Sequence, residues 1–82
     1  MAVIRLPSIL AAEAGGRREF ETDAPTLAAA LHELPIADLI FDGGGLRSLV
    51  NVYVDGRDAR GELESPLPAS AEVRVVAAVA GG

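Results

Sequence analysis

The fold is decided by the stretch Val50-Asn51-Val52-Tyr53-Val54-Asp55-Gly56, in the middle of the 82-residue chain. Its three valines alternate with Asn51 and Tyr53, and this period of two predicts a β-strand with one buried face and one outer face. The dipeptide Asp55-Gly56 is typical of a tight hairpin turn. We therefore predict that the strand returns through a short partner strand near residues 57–59.

Other segments show the same alternation. Residues 2–6 predict a first strand that a proline ends, because proline has no N–H to donate to a neighbouring strand. A loop containing Gly15-Gly16 is expected next, followed by a second half-buried strand at residues 18–22. Near the C-terminus, Val73 and Val75 alternate with charged residues and predict the last strand.

Between these strands the apolar spacing becomes helical. Leucines and alanines at residues 27–34 form one stripe, with Thr26 in the position of an N-cap and Pro35 as the stop. Residues 36–41 are expected to cover the core as a turn or short helix, and residues 42–45 to form a flexible loop.

One amphipathic helix covers one face of one mixed sheet, which predicts a two-layer α+β domain. A β-grasp arrangement satisfies this order of elements, and that fold would place the last strand beside the first, at the centre of the sheet. We predict a single domain at residues 1–76 and a flexible C-terminal tail at residues 77–82.

The composition excludes several classes of function. The seven basic residues are all arginines, against 12 acidic ones, so the net charge is −5 and no nucleic-acid partner is expected. An acidic body of this kind favours a basic docking surface. With no cysteine and a single histidine, His32, no metal site is expected. Since the apolar runs are too short for a membrane span or signal peptide, we expect a cytoplasmic protein.

The C-terminal run Ala77-Ala78-Val79-Ala80-Gly81-Gly82 is the strongest functional signal. Small residues and two glycines present an unbranched carboxylate that is able to enter a narrow channel. A free carboxylate is a poor acyl donor, so its chemistry would start with adenylation by ATP, after which sulfide would displace AMP to give a thiocarboxylate at Gly82. The chain itself then needs neither a catalytic side chain nor a bound cofactor.

Three segments carry a family resemblance: Leu6-Pro7-Ser8-Ile9-Leu10, Val50 to Arg60, and Ala78-Val79-Ala80-Gly81-Gly82. Together they resemble the ubiquitin-like sulfur carriers of the ThiS/MoaD family, and most of all its cysteine-forming branch. The resemblance implies that Gly82 carries the thiocarboxylate and that partners grip Val79, Ala80 and Gly81. The connection between the helix and the middle strand looks shorter than in that branch, which leaves the sulfur acceptor open.

The same resemblance implies the partners. They are an E1-like adenylating and sulfurtransferase enzyme that uses ATP, and a sulfur-accepting synthase such as a pyridoxal-phosphate (PLP)-dependent cysteine synthase. A zinc peptidase would then release cysteine from the carrier. Tyr53, on the outer face of the middle strand, is a further candidate for partner contact.

Other functions stay open at this point. The chain could be a ubiquitin-like protein modifier, although a protein without lysine is unable to build side-chain-linked chains of itself. It could also be the small subunit of molybdopterin synthase, a sulfur donor for another thio-containing metabolite, or a noncatalytic β-grasp interaction module.

Overall fold

The computed structural model describes residues 1–43 and 45–77. Within them, seven strands follow one another along the chain in two sheets. Their bounds are Ala2–Arg5 (β1), Glu19–Thr22 (β2), Phe41–Asp42 (β3), Gly45–Leu46 (β4), Val50–Val54 (β5), Arg57–Asp58 (β6) and Glu72–Ala77 (β7). β3 pairs with β4 in a small separate hairpin, where a plain loop was expected, and the other five strands form the main sheet.

The main sheet has the order β2-β1-β7-β5-β6. β7 runs parallel to β1 and antiparallel to β5, so the last strand is central and lies beside the first. This confirms the predicted α+β fold of the β-grasp type. Ala77 still pairs with Val50 and therefore belongs to β7, while the rest of the predicted tail, residues 78–82, lies outside the described residues.

The predicted helix at residues 27–34 and the predicted turn or short helix at residues 36–41 both form helices over the inner face of the sheet, the first of them ending two residues earlier than predicted. Helix α2 spans Leu27–His32, and the side chain of Thr26 caps it by accepting a hydrogen bond from the backbone N–H of Ala29 at 3.1 Å. The short helix α3 follows at Ala37–Ile40. The largest side chains of the buried core come from both layers: Ile4, Leu31, Ile40, Val52, Val73 and Val75.

One helix was missed. The segment after Pro7 was expected to be a loop, but Ser8–Glu13 forms a helix, α1, in the order α1, α2, α3 along the chain. Its residues Leu10 and Ala11 are buried in the core, so tertiary packing stabilises a helix that is too short to form alone. Gly15 and Gly16, both at positive φ, follow it and turn the chain toward β2.

The hairpin signal is confirmed in detail. Asp55 and Gly56 have φ values of 50° and 84°, and two successive positive φ values are the mark of the tight turn whose twist matches paired strands. The Asp55 carboxylate also accepts a hydrogen bond from the backbone N–H of Glu72 at 2.9 Å, which attaches the turn to the start of β7. The hairpin therefore fixes the end of the sheet opposite to Ala77.

Candidate functional site

The candidate site is the end of the sheet where β7 stops. Register places Ala77 opposite Val50, the first residue of β5, and places Arg5, the last residue of β1, opposite Arg74, three residues before Ala77. The predicted attachment point Gly82, and the predicted grip residues Val79, Ala80 and Gly81, lie outside the described residues. The structure describes the surface around Ala77, the last described residue of the chain, and we call this surface the exit surface.

An apolar groove of about 460 Å³ lies on one side of the exit surface, and Ala77 forms part of its wall. Large apolar side chains line it although they face solvent, namely Ile9, Leu39 and Leu49, which are 50%, 37% and 63% exposed. Exposed apolar side chains that cluster in this way mark a surface that binds another molecule. Nothing in the sequence pattern singled them out, since each lies in a loop or a short helix.

Arg60 supports the wall of this groove. Its guanidinium donates hydrogen bonds to the carbonyl oxygens of Leu46 at 3.0 Å and Arg47 at 3.1 Å, and also to that of Val50. These carbonyls lie at the end of β4, in the connection between β4 and β5, and at the start of β5, and Leu49 belongs to that connection. A single side chain from the short 3-10 helix Arg60–Glu62 thus fixes the connection to the sheet.

A second pocket, of about 350 Å³, lies on the other side of the exit surface, against Val75 and Val76 of β7. Three arginines and one glutamate provide its charged lining, namely Arg5, Arg18, Arg74 and Glu19. The two sides of the exit surface therefore differ in chemistry, one being mostly apolar and the other cationic.

The arginines of this pocket differ in how far carboxylates neutralise them. Arg5 pairs with Glu72 at 2.7 Å and with Glu19, and the hydrogen bond to Glu72, followed by the attraction of Glu19, raises the pKa of Arg5. Arg18 donates to the neutral hydroxyl of Ser8 at 2.9 Å. Arg74 has only a long contact with the carboxylate of Glu72, at 3.9 Å.

Tyr53 lies close to the cationic pocket. It is half-buried in β5, and register places it opposite Arg74 on one side and Asp58 on the other, on the outer face of the sheet. Its hydroxyl receives a long contact from the Asn51 amide at 3.5 Å. Its predicted contact with a partner stays a prediction.

Asp58, in the edge strand β6, accepts two hydrogen bonds. The backbone N–H of Arg60 donates to its carboxylate at 3.0 Å, and the Asn51 amide donates at 3.0 Å. These two hydrogen bonds, the backbone one first, lower the pKa of Asp58 because they stabilise its charged form.

His32 lines neither the apolar groove nor the cationic pocket. Its ring stacks on that of Phe41 with centroids 4.1 Å apart, which gives it a packing role on an exposed part of α2. The described residues contain no group of three or more metal-ligating side chains close enough to hold an ion. None of the helices in the described ranges has the length and apolar character needed to span a lipid bilayer.

The family of the chain is known from its sequence match to a family model. The sequence model of the ThiS family matches residues 4–82, which is nearly the whole chain. The chain belongs to the ThiS family. ThiS-family chains are ubiquitin-like sulfur carriers, so the resemblance seen in the sequence is confirmed at the level of the family. No curated protein has a matching sequence.

Solved structures agree with this ThiS-family assignment. A chain of the crystallised BexX/CysO complex of Amycolatopsis orientalis is 26% identical, with a TM-score of 0.85 and full coverage of both chains. CysO of Mycobacterium tuberculosis is 26% identical, with a TM-score of 0.82 over 96% of this chain and all of its own. SAMP1 of Haloferax volcanii is 28% identical, with a TM-score of 0.76 over 99% of this chain and 98% of its own. All of these are small carrier or modifier proteins of the same fold.

Proposed function

We propose that the chain is a sulfur carrier protein that works through Gly82 as a protein cosubstrate of other enzymes. An E1-like activating enzyme, which binds the ATP, would present the α-phosphorus to the Gly82 carboxylate. Attack by the carboxylate oxygen expels pyrophosphate and forms the acyl adenylate. Sulfide then displaces AMP, and the product is a thiocarboxylate whose sulfur is ionised at neutral pH and strongly nucleophilic.

The observation that supports this proposal most is the family match, which runs through residue 82 and so includes both terminal glycines. The geometry adds support, since β7 is the central strand of the sheet and brings the chain to a surface with exposed apolar side chains. A carrier needs such a surface, because its reacting group must enter the active site of another protein while the folded domain stays outside.

For the acceptor, we propose a synthase of cysteine or of a thio-containing metabolite. The likeness to CysO over the whole chain supports the first, with a PLP-dependent cysteine synthase as acceptor and a zinc peptidase to release the product. The CysO of Amycolatopsis orientalis forms a complex with BexX, which supports the general expectation of an enzyme partner.

Pyrophosphate exchange tests the first step. A cognate activating enzyme incubated with labelled pyrophosphate and the carrier should form labelled ATP only when the carrier ends in Gly82. The matched control lacks Gly82 alone and keeps the rest of the chain. Equal exchange with both chains would show that adenylation does not require Gly82.

A protein modifier is the second candidate, and the likeness to SAMP1, a small archaeal modifier protein, favours it. Both functions start with adenylation, but the modifier would end as an isopeptide on a lysine of a target. Denaturing electrophoresis of cell extracts separates them, since a modifier gives a ladder of higher-mass adducts that disappears when Gly82 is removed.

A further inference from the structure

Charge is unevenly distributed over this acidic protein. Most of its arginines lie near the exit surface, where they end β1, precede β2 and β5, or contact the β4–β5 connection. Arg57 is the exception, since it lies in the hairpin at the opposite end of the sheet and pairs with Glu62. The opposite end also carries Asp23 and Asp55, so the molecule has an anionic end and, at the exit surface, a cationic pocket beside a groove that Glu13 and Asp42 also line.

Among the described residues, Arg18 forms no ion pair and Arg74 forms only the long one with Glu72. Both line the cationic pocket against Val76, the residue before Ala77. Arg18 is held in place by a neutral hydroxyl, and the Arg74 guanidinium is 3.9 Å from its carboxylate contact with a side chain that is 61% exposed. Arginines that are oriented but not neutralised suit the recognition of carboxylates from another molecule.

We propose that Arg18 and Arg74 bind acidic side chains of the enzyme that adenylates the C-terminus, beside an apolar contact with the groove of Ile9 and Leu49. This proposal rests on the proposed function, because that function supplies the partner. The net charge of −5 led to the opposite expectation, namely that the partner would present a basic docking surface. Long-range attraction would turn the exit surface, and not the anionic end, toward an acidic partner.

The test uses binding of the full-length chain to the activating enzyme at several salt concentrations. The double variant Arg18→Gln/Arg74→Gln should bind about 10-fold more weakly at low salt, because two exposed charge pairs are lost, and its affinity should depend less on salt. The control Arg57→Gln, which removes a charge from the opposite end, should bind like the wild type. The double variant Arg18→Lys/Arg74→Lys should recover part of the affinity, since it keeps the charge but not the bidentate geometry.

Thermal unfolding of each variant checks that the fold is retained. Sulfur attachment, measured at a saturating concentration of the carrier, tests the proposed function separately. Wild-type affinity in the double glutamine variant, or an equal loss in Arg57→Gln, overturns the inference even if sulfur is attached. Arginine-dependent binding without any sulfur attachment supports the inference and contradicts the proposed function.

Discussion

Replacing Arg60 by methionine tests whether one side chain holds the wall of the apolar groove. Methionine keeps a long, unbranched side chain but removes every donor. The Arg60 guanidinium donates hydrogen bonds to the carbonyl oxygens of Leu46, Arg47 and Val50. A hydrogen bond from a charged donor contributes about 1.5–3 kcal/mol, but Arg60 is only half-buried and water replaces it at some of these acceptors. We therefore expect a total loss of about 2 kcal/mol in the free energy of unfolding.

Urea unfolding followed by circular dichroism measures this loss, and a thermal scan should show a decrease of about 10 °C in the midpoint for a domain of this size. The matched control is Arg57→Met, which breaks only the exposed ion pair with Glu62 and should change the midpoint far less. If Arg60→Met unfolds at the wild-type midpoint, the three carbonyl contacts do not stabilise the connection and the reasoning is refuted.

Gly56, Asp58 and Leu49 each test one feature of the structure. Gly56→Ala should reduce stability by about 1 kcal/mol because φ there is +84° although the space around it is open, whereas Gly61→Ala, in equally open space without positive φ, should be nearly neutral in the same urea titration. Because the folded state lowers the pKa of Asp58, its ionisation adds stability above the unfolded pKa, and that stability is lost as pH falls through the lower folded value. Asp58→Asn should therefore flatten the acid side of the stability–pH curve, and an unchanged curve would contradict the assigned hydrogen bonds. Leu49→Ser should weaken binding to the activating enzyme while leaving the unfolding midpoint unchanged, since Leu49 is 63% exposed; a large drop in the midpoint would mean that it is a core residue instead.

Local signals in the sequence made several parts of the fold predictable. The valines of β5, the Asp55-Gly56 turn and the Thr26 cap each act through near neighbours, so their structure could be predicted from the local sequence. The central place of β7 followed from the fold type, because only long-range pairing with β1 and β5 creates it.

Features that depend on distant contacts escaped sequence reasoning. Helix α1 is six residues long, and its stability comes from burying Leu10 and Ala11, which no local propensity reveals. Arg60 acts on residues 10 to 14 positions away, and no pattern in the sequence indicates those acceptors. The exit surface likewise brings Ile9 and Leu49 into one groove only through the pairing of distant strands.

Intact-mass measurement detects sulfur attachment at Gly82. The chain is incubated with a cognate activating enzyme, ATP and a sulfide source, then fragmented in the mass spectrometer to locate any change. We expect that one oxygen is replaced by one sulfur in the C-terminal fragment, that omission of ATP prevents the exchange, and that removal of Gly82 abolishes it without moving the unfolding midpoint. An unchanged mass with an enzyme that adenylates the chain, or an exchange located elsewhere, would contradict this expectation.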